Sequence, residues 1–340
     1  MPLPANVASF LAAYDWHGAA MVPLAGDASH RRYVRLTRGD ESAVLMIAPP
    51  DKEAVEPFVA IGRHLATLGL SVPAIIGADV DAGLVLLEDL GDRLFAQAIS
   101  EGFDEAELYA AATDVLARVH AAPVPDRLPG VDVEHRLPVF TDERMTREVD
   151  LVLEWYLPTV SGTGVPEDVA AACRAAWAAV WPLARAGEPV LVQFDYHSPN
   201  LMWLPGREGL RRVGVLDFQD SLRGPAAYDL VSLIQDPRRD VPAAFEAKLM
   251  DRYLAARPTL DRDAFVTSYA VLGAQRAARI LGVFVRLWQR DGKPGYLRHQ
   301  PRVWSLLERN LHHPALAPVK AWFDTHLPAP QRAARWNDPA

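Results

Sequence analysis

The sequence predicts an α+β chain of two lobes: a small antiparallel β-sheet lobe over residues 1–89 and a large, mainly α-helical lobe over residues 90–340. Three observations predict it. Before Leu90, short β-branched and apolar runs alternate with turn residues around one stretch at helical spacing. After Leu90, long helical periodicities dominate. Inside that helical part, residues 190–220 return to strand-like patterning, VLVQFDYHSPNLMWLPGREGLRRVGVLDFQD. A chain of 340 residues is long enough for one large domain or for two lobes with a cleft between them.

The elements follow in order. Residues 21–24 and 31–37 read as strands around the small-residue turn Gly26-Asp27-Ala28-Ser29, and residues 42–48 (SAVLMIA) as a third strand ended by Pro49-Pro50. Over 54–68 the apolar residues Val55, Phe58, Val59, Leu65 and Leu68 recur at helical spacing. Residues 74–78 and 83–88 are two more short strands. Asp104-x-x-Glu107 resembles a capping box opening a helix to about His120. A proline-rich connection precedes helical patterns over 141–157 and 167–186. After residue 220, helices are expected over 226–235, 243–255, 261–290 and 302–311.

Composition narrows the function classes. Half the residues are hydrophobic and 23% are charged, as in ordinary globular proteins. A net charge of −8 argues against non-specific nucleic-acid binding, which needs clustered Lys and Arg. The single cysteine, Cys173, excludes an internal disulfide and reads as a packed helix residue. The longest Ala/Trp-rich run is interrupted by Arg174 and Pro182 and is too short to span a bilayer, and the first residues lack a secretory pattern. A monomeric cytoplasmic protein without membrane or nucleic-acid partners is expected.

The chemistry concentrates in residues 190–220. Two apolar runs each end in a carboxylate, Asp195 and Asp217, and Asn200 lies five residues after the first. A strand–loop–strand hairpin delivering carboxylate, amide and carboxylate suits Mg²⁺ and a phosphate tail, because Mg²⁺ takes one or two protein oxygens and fills its shell with water and phosphate. The same spacing occurs in the protein-kinase signature, with Asp217-Phe218-Gln219 standing where Asp-Phe-Gly would stand.

Along nearly its whole length the chain resembles the aminoglycoside phosphotransferase-like branch of the protein-kinase-like fold, and within it the bacterial anomeric N-acetylmuramate/N-acetylglucosamine kinases of cell-wall recycling. The segments that carry this are GDASHRRYVRL, VLMIAPP, LLEDLG, REVDLVLEWYLP, DYHSPNLM, GVLDFQDSLRGPAAYDLVSLIQD and DGKPGYL. The resemblance implies ATP and Mg²⁺ as cofactors and a small-molecule amino sugar as acceptor. It makes Asp195 the catalytic base, Asn200 and Asp217 the metal ligands, and Glu88 and Leu90 the hinge residues whose backbone meets adenine.

The chain departs from the family pattern in three places. Gln193 replaces the usual His of the catalytic loop, with tuning rather than loss of activity expected. Met46 stands where kinases carry the phosphate-binding Lys. No GxGxxG occurs in the first hairpin, where Ser29 lies in a sparse substitute. Arg31, Arg32 and Arg35 are the candidates for the missing cation, and strand alternation places Arg31 and Arg35 on one face with Tyr33, and Arg32 on the other.

The acceptor pocket is expected from Tyr196, His197 and Asp220 beside the base, from Glu154 and Tyr156 at a helix end, and from Arg276. Arg276 and Arg279 suit either a lactyl carboxylate or an acidic neighbour such as Asp229. His197 has no second ligand at zinc spacing. Alternative readings are a kinase for an aminoglycoside, choline or homoserine, and a nucleotide-binding pseudokinase that regulates a partner. A polycationic aminoglycoside would want a denser acidic cluster than the catalytic loop offers.

Overall fold

The computed structural model describes residues 4, 6–24 and 30–332, so Ser29 and the turn it belongs to lie outside the described residues. After one short helix the first part of the chain forms an antiparallel sheet and a mostly helical region follows, the α+β order expected. By compactness the chain divides into one unit of Met1–Pro138 with Gln193–Ser221 and another of Val139–Val192 with Leu222–Ala340.

In the first unit, helix α1 (Val7–Ala13) precedes strands β1 (Ala20–Pro23), β2 (Arg32–Arg38) and β3 (Glu41–Ile47). Helix α2 (Glu56–Thr67) leads to β4 (Ile75–Asp79) and β5 (Leu84–Glu88), and the sheet order is β1-β2-β3-β5-β4. Cross-strand partners share a face. Val34, Leu45 and Leu86 lie opposite one another and join Val7, Phe10, Leu11 and Trp16 in a buried cluster. At about 1.5–3 kcal/mol per large apolar side chain buried, this cluster explains why the short α1, not expected from the sequence, is held. The opposite face carries Tyr33, Met46 and Val85 in register.

Helices α3 (Phe95–Ser100) and α4 (Glu105–Ala121) follow, then a two-residue pair of strands, β6 (Arg127–Leu128) and β7 (His135–Arg136). At the start of α4, Asp104 accepts the Ala106 N–H, while Glu107 pairs with Arg212. The capping expectation holds for the aspartate only.

The expected hairpin needs correction. The first apolar run forms β8 (Val190–Val192), and the second forms β10 (Val213–Val215). These two are not partners: β10 pairs with β9 (Leu201–Trp203), and β8 pairs with β11 (Leu222–Gly224). Three-residue strands are too short for periodicity to identify their neighbours. The β9–β10 hairpin is tied into the first unit by Val215 N–H to the Ser71 carbonyl and Trp203 N–H to the Arg93 carbonyl, both 2.8 Å.

In the second unit, α5 (Asp142–Leu151) passes through a π-helical turn, Val152–Tyr156, into α6 (Leu157–Ser161). The helix expected over 167–186 ends early: α7 is Glu167–Ala178, followed by the 3₁₀ turn Trp181–Ala184. Pro182 is the cause, since it lacks an N–H and its ring would meet the carbonyl of Ala178. Cys173 is buried in α7, and burial pushes its thiol up to about 12. Helices α8 (Ala227–Ile234), α9 (Ala243–Ala256), α10 (Arg262–Asp291) and α11 (Gln300–Leu311) match the sequence pattern, and α12 (Ala317–His326) was not expected. Among the described residues no helix is long and apolar enough to cross a membrane.

Helix α10 starts at Asp261, whose side chain accepts the Ala264 N–H, and ends at Gly292 in a left-handed conformation (φ 64°). At its Gly282 the backbone of α5 comes so close that a Cβ would lie 2.3 Å from the Leu151 carbonyl. Gly282→Ala is therefore expected to destabilise the protein by about 1–3 kcal/mol, read as a lowered urea midpoint. An unchanged midpoint would mean the two helices are not locked at this crossing.

Candidate active site

Asp195, Asn200 and Asp217 are brought together within the first unit. The turn Asp195–Asn200 is built by its own backbone: Asp195 N–H donates to the Gln193 carbonyl at 2.9 Å, His197 N–H to the Asp195 carbonyl at 3.1 Å, and Asn200 N–H to the His197 carbonyl at 2.8 Å. Leu216 N–H then bonds the Asn200 carbonyl at 2.9 Å, which ties this turn to the one carrying Asp217. The Asn200 amide completes the link by donating through Nδ2 to the Asp195 carbonyl at 3.0 Å and to Asp217 Oδ2 at 3.3 Å. With its nitrogen so occupied, Asn200 has Oδ1 left as a metal-type ligand.

Two residues of this site hold left-handed backbones, Phe194 (φ 72°) and Asp217 (φ 57°); the other non-glycine case among the described residues is Asp15. Such a conformation costs an L-residue about 1–3 kcal/mol and persists only where the surroundings enforce it. At Asp217 the enforcement comes from the next residue. Phe218 is buried, stacks on Phe58 of α2 with centroids 4.9 Å apart, and lies against Gly62, where a Cβ would be 3.1 Å from the ring. Gln219, a residue the sequence reading passed over, steadies the carboxylate by donating from Nε2 to Asp217 Oδ1 at 2.8 Å, and lies 3.5 Å from Asp220 Oδ2. Its place beside Asp217 was the available signal.

Charge is concentrated here. Asp217 keeps an open face, yet the protein packed around its carboxyl withdraws water and raises its pKa above the ordinary value. The carboxylates of Asp195 and Asp220 push the same way, against the Gln219 hydrogen bond and the positive charge of Arg31. The donor set fits Mg²⁺: an amide oxygen, a carboxylate and surplus negative charge await a cation that brings phosphate and water as its remaining ligands. It does not fit an all-protein site, for no group of three or more His, Cys, Asp or Glu able to hold a metal occurs among the described residues.

The nucleotide-side candidates separate. Met46 is fully buried opposite Tyr33 and carries no charge. The Tyr33 hydroxyl is pushed up to about 12 by burial, against the nearby Arg31 and with Asp217 and Glu53. Arg31 is buried and pairs with Glu53 at 3.0 Å. Arg35 closes instead on Asp89 at 2.7 Å and Asp92 at 2.8 Å. Glu88 is drawn to Arg207, with its N–H on the Ala74 carbonyl at 2.8 Å. Leu90 makes no backbone hydrogen bond to another described residue, which leaves its amide available as a hinge donor.

The acceptor-side candidates fall into three kinds. Asp220 is exposed beside Asp217. Tyr196 is 1% exposed and its hydroxyl donates to the Ala112 carbonyl at 3.0 Å, while His197 is buried in the catalytic-loop turn; both are built into the packing of the loop. Glu154, Tyr156 and Arg276 belong to the second unit. Glu154 is exposed on the π-helical turn. Tyr156 is fully buried and bonded to Trp304 Nε1 at 2.7 Å, so it offers no ring face to a sugar. Arg276 is 4% exposed beside Gln235 and Ile280, with Nε and Nη1 lacking hydrogen-bond partners among the described residues. Arg279 lies 3.8 Å from Glu148.

The Arg35 pair yields a test. Burial pushes the Asp89 carboxyl up, but Arg35, the Gly91 N–H and the Ser42 hydroxyl outweigh it and hold the pKa below the ordinary aspartate value. A depressed carboxylate pKa gives stability that is present above the unfolded value and lost as pH falls through the folded one. Arg35→Met should lower stability near neutral pH by about 1–3 kcal/mol, and its gap from wild type should shrink as pH falls below the ordinary aspartate range. A pH-independent gap in urea melts would refute the pairing.

Comparison with known proteins places this geometry in context. Residues 20–266 match the family model described as the phosphotransferase enzyme family. The chain is 42% identical to the N-acetylmuramate/N-acetylglucosamine kinase of Caulobacter vibrioides, over 96% of this chain and 97% of that protein. It is 33% identical to the protein of the same name from Pseudomonas aeruginosa, over 85% and 83% of the two chains. Its fold is similar to the crystal structure of a choline/ethanolamine kinase family protein from Mesorhizobium loti, with a TM-score of 0.59 and 17% identity over 93% and 96% of the chains.

Proposed function

Because the chain belongs to the phosphotransferase enzyme family, we propose that it is an ATP- and Mg²⁺-dependent kinase acting on the anomeric C1 hydroxyl of N-acetylmuramate and N-acetylglucosamine, in peptidoglycan recycling. The observation that carries the reading is the Asn200 amide bridging the Asp195 carbonyl and the Asp217 carboxylate, in a chain 42% identical to a kinase named for these two sugars. Residues 1–89 would supply the nucleotide-binding lobe and residues 90–340 the catalytic loop and acceptor determinants.

In this reading Asp195 is the base. The C1 hydroxyl gives its proton to the Asp195 carboxylate as its oxygen attacks the γ-phosphorus, the bond to the β–γ bridging oxygen breaks, and ADP leaves. An anomeric hydroxyl is more acidic than an ordinary alcohol, so a carboxylate is an adequate base. Asn200 and Asp217 would hold Mg²⁺, which when bound neutralises charge on the phosphates. What the chain itself contributes is position: Asn200 fixes the distance between the base turn and Asp217, and Gln219 fixes the rotation of the Asp217 carboxylate.

The test is incubation with Mg-ATP and N-acetylmuramate, N-acetylglucosamine, an aminoglycoside or choline, with phosphorus NMR of the products. A sugar 1-phosphate is expected, and Asp195→Asn should slow its formation by about 10²–10⁴-fold while nucleotide binding persists. Phosphorylation of choline or the aminoglycoside alone, or of no acceptor, would overturn the assignment. A variant as fast as wild type would remove Asp195 from the base role.

A further inference from the structure

The strand position opposite Tyr33 carries Met46, buried and uncharged, so the triphosphate must find its N-terminal cation elsewhere. The two arginines flanking Tyr33 are separated by their partners. Arg35 donates to Asp89, Asp92 and the Gly91 carbonyl, and its charge is neutralised there. Arg31 lies just before β2 with its side chain 8% exposed, and its Nη2 is 3.0 Å from Glu53 Oε2. The second oxygen of the same carboxylate, Oε1, accepts the backbone N–H of His30 at 3.2 Å. One carboxylate, supplied by the turn before α2, thus grips both the main chain and the guanidinium of the segment entering β2. Arg31 thus lies at the entry to β2, two residues before Tyr33, the residue whose strand partner is Met46.

We infer that Glu53 is a positioning residue that holds Arg31 as the phosphate-binding cation in place of the side chain at position 46, given the kinase activity proposed for the chain. A guanidinium suits this double duty. It has five N–H donors, so one edge stays on Glu53 while the others receive phosphate oxygens through charge-assisted hydrogen bonds. Holding the side chain before nucleotide arrives removes the entropy cost of ordering it on binding. Residue 53 gave no sign of this in the sequence, because a lone glutamate in a turn has no periodicity or motif to mark it.

The experiment measures binding of a Mg-bound non-hydrolysable ATP analogue by calorimetry, and steady-state kinetics with ATP and sugar. The proteins are wild type, Arg31→Ala, Arg31→Lys, Glu53→Gln and the double variant Arg31→Ala/Glu53→Gln. Arg31→Ala should weaken analogue binding and raise KM for ATP about tenfold or more, with KM for the sugar unchanged. Glu53→Gln should give a smaller loss of the same kind, and Arg31→Lys should retain part of the affinity. The double variant should be no weaker than Arg31→Ala alone, because Glu53 acts through Arg31.

Additive losses, or a Glu53→Gln protein that melts earlier yet binds the analogue like wild type, would overturn the assignment and leave a merely structural pair. Should Glu53→Gln fail to fold, wild-type analogue affinity in Arg31→Ala would overturn it independently. If wild type phosphorylates no sugar, the acceptor reading falls, while the nucleotide affinities still decide the role of Arg31.

Discussion

The seating of Phe218 on helix α2 is the constraint on which the candidate site depends. Asp217 occupies a left-handed backbone, a conformation that costs an L-residue free energy. The compensation is apolar. The Phe218 ring stacks on Phe58 and fills the space left by the absent side chain of Gly62. A Cβ at residue 62 would lie 3.1 Å from the ring, tighter than an ordinary contact, so the ring would have to give slightly. Burial of one aromatic ring, of the order of 2–3 kcal/mol, is comparable to the backbone strain it offsets, so packing and site geometry are coupled.

The same helix governs the charge at the other side of the site. The turn leading into α2 supplies Glu53, which grips His30 and Arg31, while α2 itself seats Phe218. The positive charge of Arg31 and the carboxylates of Asp195 and Asp220 all act on Asp217. Burial raises the Asp217 carboxyl above its ordinary value, and the Asp195 and Asp220 carboxylates add to it against Gln219 and Arg31. A nucleotide–metal complex suits such a field, since its cation meets the carboxylates and its phosphates meet the guanidinium. Met46 in the adjacent strand is buried and uncharged, while Arg31 at the entry to β2 is paired with Glu53.

Much of the fold was legible because its elements are long or strictly alternating. Helix α10 runs thirty residues with a capping aspartate and a terminal glycine, and β2 and β3 run seven residues each. The pattern failed where elements are short. The seven-residue α1 is fixed by the cluster around Phe10 and Trp16, a set assembled from distant parts of the chain. The three-residue strands β8 and β10 looked like one hairpin, yet each pairs elsewhere. Backbone hydrogen bonds chose the partners, and these are written in no side-chain period.

By itself the sequence determined the chemistry available: two carboxylates and an amide at kinase-like spacing, an uncharged residue at 46, arginines around Tyr33, and one cysteine unable to form an internal disulfide. Those are properties of composition and local order, which folding does not alter. Tertiary structure decided the partners of the two arginines, because Asp89 and Asp92 pair with Arg35 while Glu53 pairs with Arg31. It also decided that Tyr156 and Tyr196 are packing residues, their hydroxyls engaged in Trp304 and Ala112 contacts. Charge pairing and burial are contacts between residues far apart in the chain, up to 148 positions for Tyr156 and Trp304, and only the folded arrangement fixes them.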